Sequence, residues 1–319
     1  MDFQQDNVTA GALLHATRRL RDAGCTKFLL TLITDDWAQL TARLRRLRLL
    51  RAQSPELQSA IVGWHLEGPF LSSKPGFHGA HDPALMLDPK LEHIRELRSL
   101  TGTEPLLLTV SPERPGAIEA IKLALSLGIK ISLGHTDASA EVLAQAVQAG
   151  ATMFTHLANG CPRELDRHDN ILWRVFETTG LTVSLIPDRI HVSPALFRLQ
   201  HHALDNSVFY TSDAMAAAGA PPGRHTIGKL TAEVGSDQIV RQPGKTNFAG
   251  SALRPVEGVF RAAEMLHCPW QETWARFSTV PARLMGLHHE LAVGQPATFC
   301  LLKIAGSGAL LDLQTHWNG

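Results

Sequence analysis

Four residues stand out because their types fit one chemistry: Glu67 in "GWHLEGPF", His135 in "LGHTD", His156 in "FTHLANG" and Asp213 in "YTSDAM". Two imidazoles and a carboxylate make a mixed nitrogen–oxygen set of the kind Zn²⁺ takes, with a position left for water. A cation held there lowers the pKa of such a water toward neutrality. Asp213 would take the water's proton and then hand it on. Each residue has a plainer reading when taken alone. A single histidine is more often a core or surface residue, Glu67 could open a loop, and Asp213 could cap a following helix. The spacing is no compact motif such as HExxH. The signal is that all four follow short apolar runs.

Those runs are the elements that must position them. They cover residues 27–32, 60–65, 105–110, 130–134, 151–155, 181–186 and 207–212. Between them apolar residues recur three or four apart, most plainly over 118–127, closed by Gly128, and over 138–149, closed by Gly150. Helices are also expected over 9–23, 254–267 and 271–277. A helix, a glycine and a short strand recur at Gly24, Gly128, Gly150 and Gly180, which is βα repetition with a parallel sheet. Glu67, His135, His156, His191 and Asp213 fall at the C-terminal ends of five different strands. That face carries the active site of a (β/α)₈ barrel, whereas a doubly wound sheet gathers ligands at one switch point. The expectation is therefore a TIM-like barrel. His65 should share the side of Glu67 by strand alternation and lie one layer deeper, orienting the ligand or packing.

Only seven strands can be counted where a closed barrel has eight, and the first unit opens on a helix. After Asp213 comes a Gly- and Pro-rich stretch, 217–228, then strand-like pieces at 229–234 and 238–241. This is expected to be an excursion near 217–250 that forms a lid. The tail, with "VGQP" before "ATFCLL", reads as a strand outside the barrel. The expected division is a hydrolase barrel over 1–290, holding strands 2–8, and a β segment of a small accessory domain over 291–319.

The 319 residues carry 30 Lys plus Arg against 30 Asp plus Glu, a balance that offers no track for nucleic acid and no membrane-binding patch. No run approaches the length of a membrane span, and "MDFQQDNVTA" shows no basic and apolar pattern, so no secretory signal is expected from it. Cys25, Cys161, Cys268 and Cys300 are scattered. They suggest no disulfide framework and fit a reducing cytoplasm.

"HLEGPFL…KPGFHGAH", "LGHTDA", "THLANG", "TSDAMAAAG" and "FAGS", in that order, resemble the N-acetylglucosamine-6-phosphate deacetylases of the amidohydrolase superfamily. The resemblance runs from about Val8 to Gly294. It implies a (β/α)₈ barrel with a small β domain built from both chain ends, and a homodimer. It implies hydrolysis of N-acetyl-D-glucosamine 6-phosphate to D-glucosamine 6-phosphate and acetate. It implies that Glu67, His135 and His156 hold one divalent ion, best fitted by Zn²⁺, and that Asp213 is the base and then the acid. His81, Asn159 and Gly160 become substrate contacts, and His191 helps to bind the sugar phosphate. Ala249 lies where the family closes over the sugar. The family also places a dimer partner's arginine on the phosphate, for which Arg163, ahead of Arg167, is the candidate.

Three departures qualify the match. "DRIH" puts Arg189 where the family often has glycine, so its guanidinium could meet the phosphate, narrow the site or point away. "NGCP" replaces a segment that usually reads like "NAM", bringing Cys161 near the substrate as a bystander or weak ligand. The resemblance also implies that the chain starts beyond the family's first barrel strand, apparently lacking that strand and keeping only a remnant of the small β domain. The expectation is poor solubility or weak activity unless upstream residues are restored. Two competing readings remain: a deacetylase of another N-acetyl amino sugar, or a non-catalytic homologue that binds a sugar phosphate.

Overall fold

The computed structural model describes residues 1–245, 247–287 and 291–317. Among them the chain runs α1 (Ala10–Asp22), β1 (Phe28–Ile33), α2 (Trp37–Ala52), α3 (Pro55–Ala60), β2 (Ile61–Glu67), α4 (Leu91–Thr101), β3 (Leu106–Val110), α5 (Ala117–Ser126) and β4 (Lys130–Leu133). It continues through α6 (Ala140–Ala149), β5 (Met153–Phe154), α7 (Ile171–Glu177), β6 (Thr182–Leu185), α8 (Pro194–Leu204) and β7 (Val208–Tyr210). The seven strands form one parallel sheet in the order β1 to β7. Each is bridged to the next by at least one helix, so the sheet curls in the manner of a TIM-like barrel.

Local sequence sets the helix ends. Thr9 accepts from the Ala12 N–H at the start of α1, Ser139 from Val142 at α6, and Asn170 from Leu172 and Trp173 at α7, each satisfying amide donors that a helix start leaves open. Gly150 ends α6 at φ 117°, a left-handed conformation that favours glycine.

The strands read as apolar runs because both faces are covered. Leu30, Leu32, Trp64, Leu66, Leu106 and Leu108 are fully buried. Trp64 donates its indole N–H to Glu104 Oε2 at 2.6 Å, and that carboxylate also pairs with Arg48 and Arg51. Each aliphatic side chain so buried contributes about 1.5–3 kcal/mol. Gly63 is a tight point in the sheet: a Cβ there would lie 2.5 Å from the Pro105 carbonyl oxygen. Gly63→Ala is expected to cost about 1–3 kcal/mol by overpacking and to lower the melting temperature. An unchanged melt would show that β2 and β3 part freely there.

Strands β1 and β7 are the edges of the sheet. At the β1 edge the Gln4 side chain stands in for a neighbouring strand. Ile33 donates its N–H to Gln4 Oε1 at 2.6 Å, and Gln4 Nε2 donates to the Ile33 carbonyl at 3.3 Å. Near β7, α10 (Trp270–Phe277) packs behind α9 (Pro255–Leu266) and ahead of α11 (Thr279–Leu284), with the Phe277 ring 5.3 Å from that of Tyr210.

Between β7 and α9 stands the excursion. It is an antiparallel sheet of β8 (Gly223–Ile227), β9 (Leu230–Val234) and β10 (Val240–Arg241), ordered β10-β9-β8. Its Ala232, Val234 and Val240 pack with Met215, Ala249 and Ala80, neighbours of Asp213 and His81. Its tip is tied down. Lys229 pairs with the buried Asp35 carboxylate at 2.8 Å, and Gly228 donates its N–H to Asp2 Oδ2 at 2.8 Å.

The tail forms a hairpin of β11 (Phe299–Ile304) and β12 (Leu310–His316). It docks on α1 through Thr315 Oγ1, which donates to the Arg21 carbonyl at 2.6 Å, and through Arg21, which lies over the Trp317 ring. The domain boundary expected at 290 lies outside the described residues. No described helix is long and apolar enough to cross a membrane.

Candidate metal centre

Glu67 is the last residue of β2. His135 and His156 each follow the end of their strand, β4 and β5. Their ligand atoms all lie within 4.8 Å of one another, and all three residues are buried. His156 Nε2 is 2.8 Å and His135 Nε2 3.1 Å from Glu67 Oε1. The His135 and His156 rings meet edge to face at 5.0 Å.

The tautomer of His135 follows from its other nitrogen. Nδ1 lies 2.8 Å from the Phe77 carbonyl oxygen, which can only accept, so Nδ1 carries the hydrogen. With a cation between Nε2 and the Glu67 carboxylate, Nε2 would give its lone pair to the ion; with no cation there, a proton on Nε2 takes that place and bonds the carboxylate. Space is closed around that ring. A Cβ at Gly79 would come within 2.9 Å of it and one at Gly160 within 2.7 Å.

The donor set fits a divalent ion. At zinc–ligand bonds of about 2.0–2.1 Å, tetrahedral donors stand about 3.3 Å apart. The two separations from Glu67 Oε1, 2.8 and 3.1 Å, need to widen by only a few tenths of an ångström. The electrostatics agree. Burial alone would raise the Glu67 carboxyl, but hydrogen bonds and charge from His135 and His156 hold it well below the carboxylate range. Burial would lower His156, yet the Glu67 hydrogen bond and charge, with Asp213 beyond, raise it to about 9. The pocket thus favours positive charge between its two carboxylates. The Nδ1 of His156 is buried without a protein partner.

Asp213 follows β7. No helix follows it: Ala214 bridges to Ser251 and residues 216–219 form a turn, so the capping alternative does not apply. Burial, and then the charge of Glu67, push its carboxyl up to about 6 against the histidines around it. A group titrating there changes protonation state near neutral pH, as a general base should.

His135, His156 and Asp213 all have left-handed backbones, at φ 51°, 32° and 49°. Such conformations cost about 1–3 kcal/mol each and persist where neighbours over-determine them. Each has a serine against its peptide. Ser111 donates to the His135 carbonyl at 2.6 Å, Ser184 Oγ accepts from the His156 N–H at 2.7 Å, and the Ser251 N–H donates to the Asp213 carbonyl at 2.8 Å.

The remaining sequence candidates divide. The His81 ring touches that of His135 at 4.7 Å, and its Nδ1 lies 2.8 Å from Thr34 Oγ1. Burial first, then neighbouring histidines, lower it to about 3. The Asn159 Nδ2 is buried with no protein acceptor, a donor available to a ligand. Gly160 faces the His135 ring. His191 is oriented by Asp188, Nδ1 to Oδ2 at 2.5 Å, and packs on Phe248 at 4.9 Å. Ala249 is buried under the small sheet, its N–H bonded to the Val240 carbonyl. Arg163 and Arg167 are exposed on the loop before α7. Arg189 turns toward α9 and pairs with Glu264, away from the cluster. Cys161 is half-buried, and burial lifts its thiol to about 11, far from a thiolate ligand. His65 lies between Thr109, 2.9 Å from Nε2, and Thr31, 3.3 Å from Nδ1.

Sequence reasoning overlooks Thr34, which holds His81, and Asp188, which holds His191. Both had a signal. Thr34 follows β1 and Asp188 follows β6, the same strand-end position that marks Glu67.

No protein-family model matches the chain. Curated relatives do. The N-acetylglucosamine-6-phosphate deacetylase of Danio rerio is 31% identical over 315 residues, covering 95% of this chain and 76% of the relative. That of Vibrio furnissii is 28% identical over 291 residues, covering 91% and 70%. Among solved structures, N-acetyl-D-glucosamine-6-phosphate deacetylase from Mycobacterium smegmatis, a variant in complex with N-acetyl-D-glucosamine-6-phosphate, superposes with a TM-score of 0.82 at 30% identity, covering 96% of this chain and 78% of that one. The Pasteurella multocida enzyme, at 24% identity and a TM-score of 0.85, shares the fold.

Proposed function

The chain belongs to the N-acetylglucosamine-6-phosphate deacetylase family, and on that premise we propose how its residues divide the hydrolysis of N-acetyl-D-glucosamine 6-phosphate to D-glucosamine 6-phosphate and acetate. The enzyme is a metal-dependent amide hydrolase. Glu67, His135 and His156 would hold the ion, and Zn²⁺ suits two imidazoles and a carboxylate. When bound there, the ion supplies Lewis acidity to the amide carbonyl and to the attacking water.

Asp213 handles the proton. It accepts one from the water as oxygen attacks the acyl carbon, then delivers it to the amide nitrogen as the C–N bond breaks. One water is consumed, and acetate and a free amine leave. His81 and the Asn159 amide orient the N-acetyl group and sugar. Gly160 is bare so that the His135 ring can occupy its place. His191, held by Asp188, contacts the sugar phosphate, and the segment at Ala249 closes over the ring. The sheet β8–β10 excludes water from the mouth. The reading rests above all on the buried Glu67–His135–His156 cluster standing beside a carboxylate whose pKa is raised. Acetate release from N-acetyl-D-glucosamine 6-phosphate, with metal content measured on the same preparation, tests it. A preference for the unphosphorylated sugar would overturn the substrate assignment.

Two finer points follow from the family. The enzyme works as a homodimer in which Arg163 meets the partner's substrate phosphate, with Arg167 the weaker candidate; Arg163 stands on an exposed loop that can reach across an interface. Arg163→Ala is then expected to raise KM about tenfold or more with little change in kcat, since a charged hydrogen bond contributes about 1.5–3 kcal/mol. An equal change on unphosphorylated sugar would separate Arg163 from the phosphate. The seven-stranded sheet corresponds to strands 2–8 of the family's barrel, and the β11–β12 hairpin to part of its small β domain. Four unpaired cysteines suit a cytoplasmic enzyme.

A further inference from the structure

Ser111 and Glu113, on the loop after β3, have no part in the chemistry above, yet both grip the segment that carries His135. The Ser111 hydroxyl lies 2.6 Å from the His135 carbonyl and 3.2 Å from that of Gly134. The Ser72 N–H reaches the same His135 carbonyl at 3.1 Å. Glu113 uses both oxygens on the next two residues: Oε2 accepts the Thr136 hydroxyl, and Oε1 accepts the Asp137 N–H at 2.9 Å. The peptide before the left-handed residue and the two residues after it are therefore held from one neighbouring loop.

We propose that Ser111 and Glu113 are positioning residues that clamp His135 in its left-handed backbone and thereby set the affinity of the centre for its metal. The inference rests on His135 being a ligand. A residue at φ 51° relaxes toward an ordinary conformation unless its surroundings forbid it, and relaxation would swing the imidazole. Metal donors must stay within about 0.5 Å of their productive positions. The Phe77 carbonyl and the flanking glycines fix the ring about its own axis. They do not fix the peptide from which it hangs, and the clamp does. A carboxylate suits the outer half because two donors arrive side by side; a glutamine offers one acceptor oxygen. The Asp137 side chain, bound to Lys74 and Arg174 at 3.0 and 3.2 Å, ties the far end of the segment to the rim.

The test titrates Zn²⁺ into metal-stripped enzyme against a chromophoric chelator. Ser111→Ala and Glu113→Gln should each weaken Zn²⁺ binding about 10–100-fold, the range for groups that orient a ligand. At saturating Zn²⁺ both should keep near wild-type kcat, and in chelator both should melt as the wild type does. Ser111 is fully buried, so if its variant fails to fold, the half-buried Glu113 carries the test. His135→Ala is the control. Wild-type Zn²⁺ affinity in a folded Glu113→Gln, alongside its loss in His135→Ala, overturns the clamp. Wild-type affinity in His135→Ala instead removes His135 from the ligand set and, with it, the premise.

Discussion

Asp213→Asn is expected to leave the metal centre loaded and to lower kcat by about 10²–10⁴-fold, the usual contribution of a positioned general base. Asparagine keeps the size and the local bonds, including the backbone carbonyl that receives the Ser251 N–H. It cannot accept the water's proton, and it cannot supply one to the amine. Metal per chain, measured beside acetate release, separates the two roles. Undiminished turnover would mean that another group moves the proton; lost metal would mean that Asp213 is a ligand.

The same substitution should stabilise the metal-stripped protein. Folding raises the Asp213 carboxyl from 3.8 to about 6, chiefly through burial and then through the charge of Glu67. Between those values the folded chain binds a proton that the unfolded chain does not. The stabilisation from that proton is fully present below the unfolded value and is lost as pH rises through about 6. An ionised Asp213 then costs up to about 3 kcal/mol. Melts in chelator should therefore show Asp213→Asn above wild type at pH 7–8, with the gap closing toward pH 4. A gap that stays constant with pH would assign the gain to packing.

The strands are legible in the sequence because a parallel sheet covered on both faces favours near-continuous apolar runs. Residues 27–32 anticipate Phe28–Ile33, and even the two-residue β5 falls inside 151–155. Strand β8 is not legible. Its residues Gly223–Ile227 are mostly exposed, so "GRHTI" carries no burial pattern, and only pairing with β9 makes it a strand. The candidate site is legible where a distinctive side chain stands at a strand end, as at Glu67, His135, His156 and Asp213. It is opaque where the contribution is a hydroxyl or a peptide. Ser111 and Ser184 matter because the histidines beside them have left-handed backbones, and no residue type announces a positive φ at histidine. The two arginine candidates are opaque for another reason: a contact with a partner subunit, as proposed for Arg163, would leave no trace within one chain. Arg189 illustrates the limit of motif reading: its replacement of a glycine left three orientations open, and only the fold shows that its partner is Glu264.

Glu67→Gln should produce the opposite dissociation from Asp213→Asn. The amide removes the charge that the two histidines share, at 2.8 and 3.1 Å, and leaves a poor ligand in its place. Losing a group that merely orients a ligand weakens metal binding about 10–100-fold; losing the carboxylate itself should exceed that. The purified variant is therefore expected to carry little metal and to release little acetate, with added Zn²⁺ restoring only part of the rate. The fold should survive, because Glu67 enters the sheet through its backbone, in register with Ile33 and Thr109, and glutamine keeps that intact. The substitution also acts on the neighbours. Glu67 supplies the largest upward pull on His156 and the main charge raising Asp213, so both groups should relax toward ordinary values. Asp213 remains in Glu67→Gln and is ionised at lower pH than before, yet with no loaded centre its readiness as a base gains nothing. A variant that keeps full metal and full rate would show that His135 and His156 suffice and that the carboxylate at the end of β2 is not a ligand.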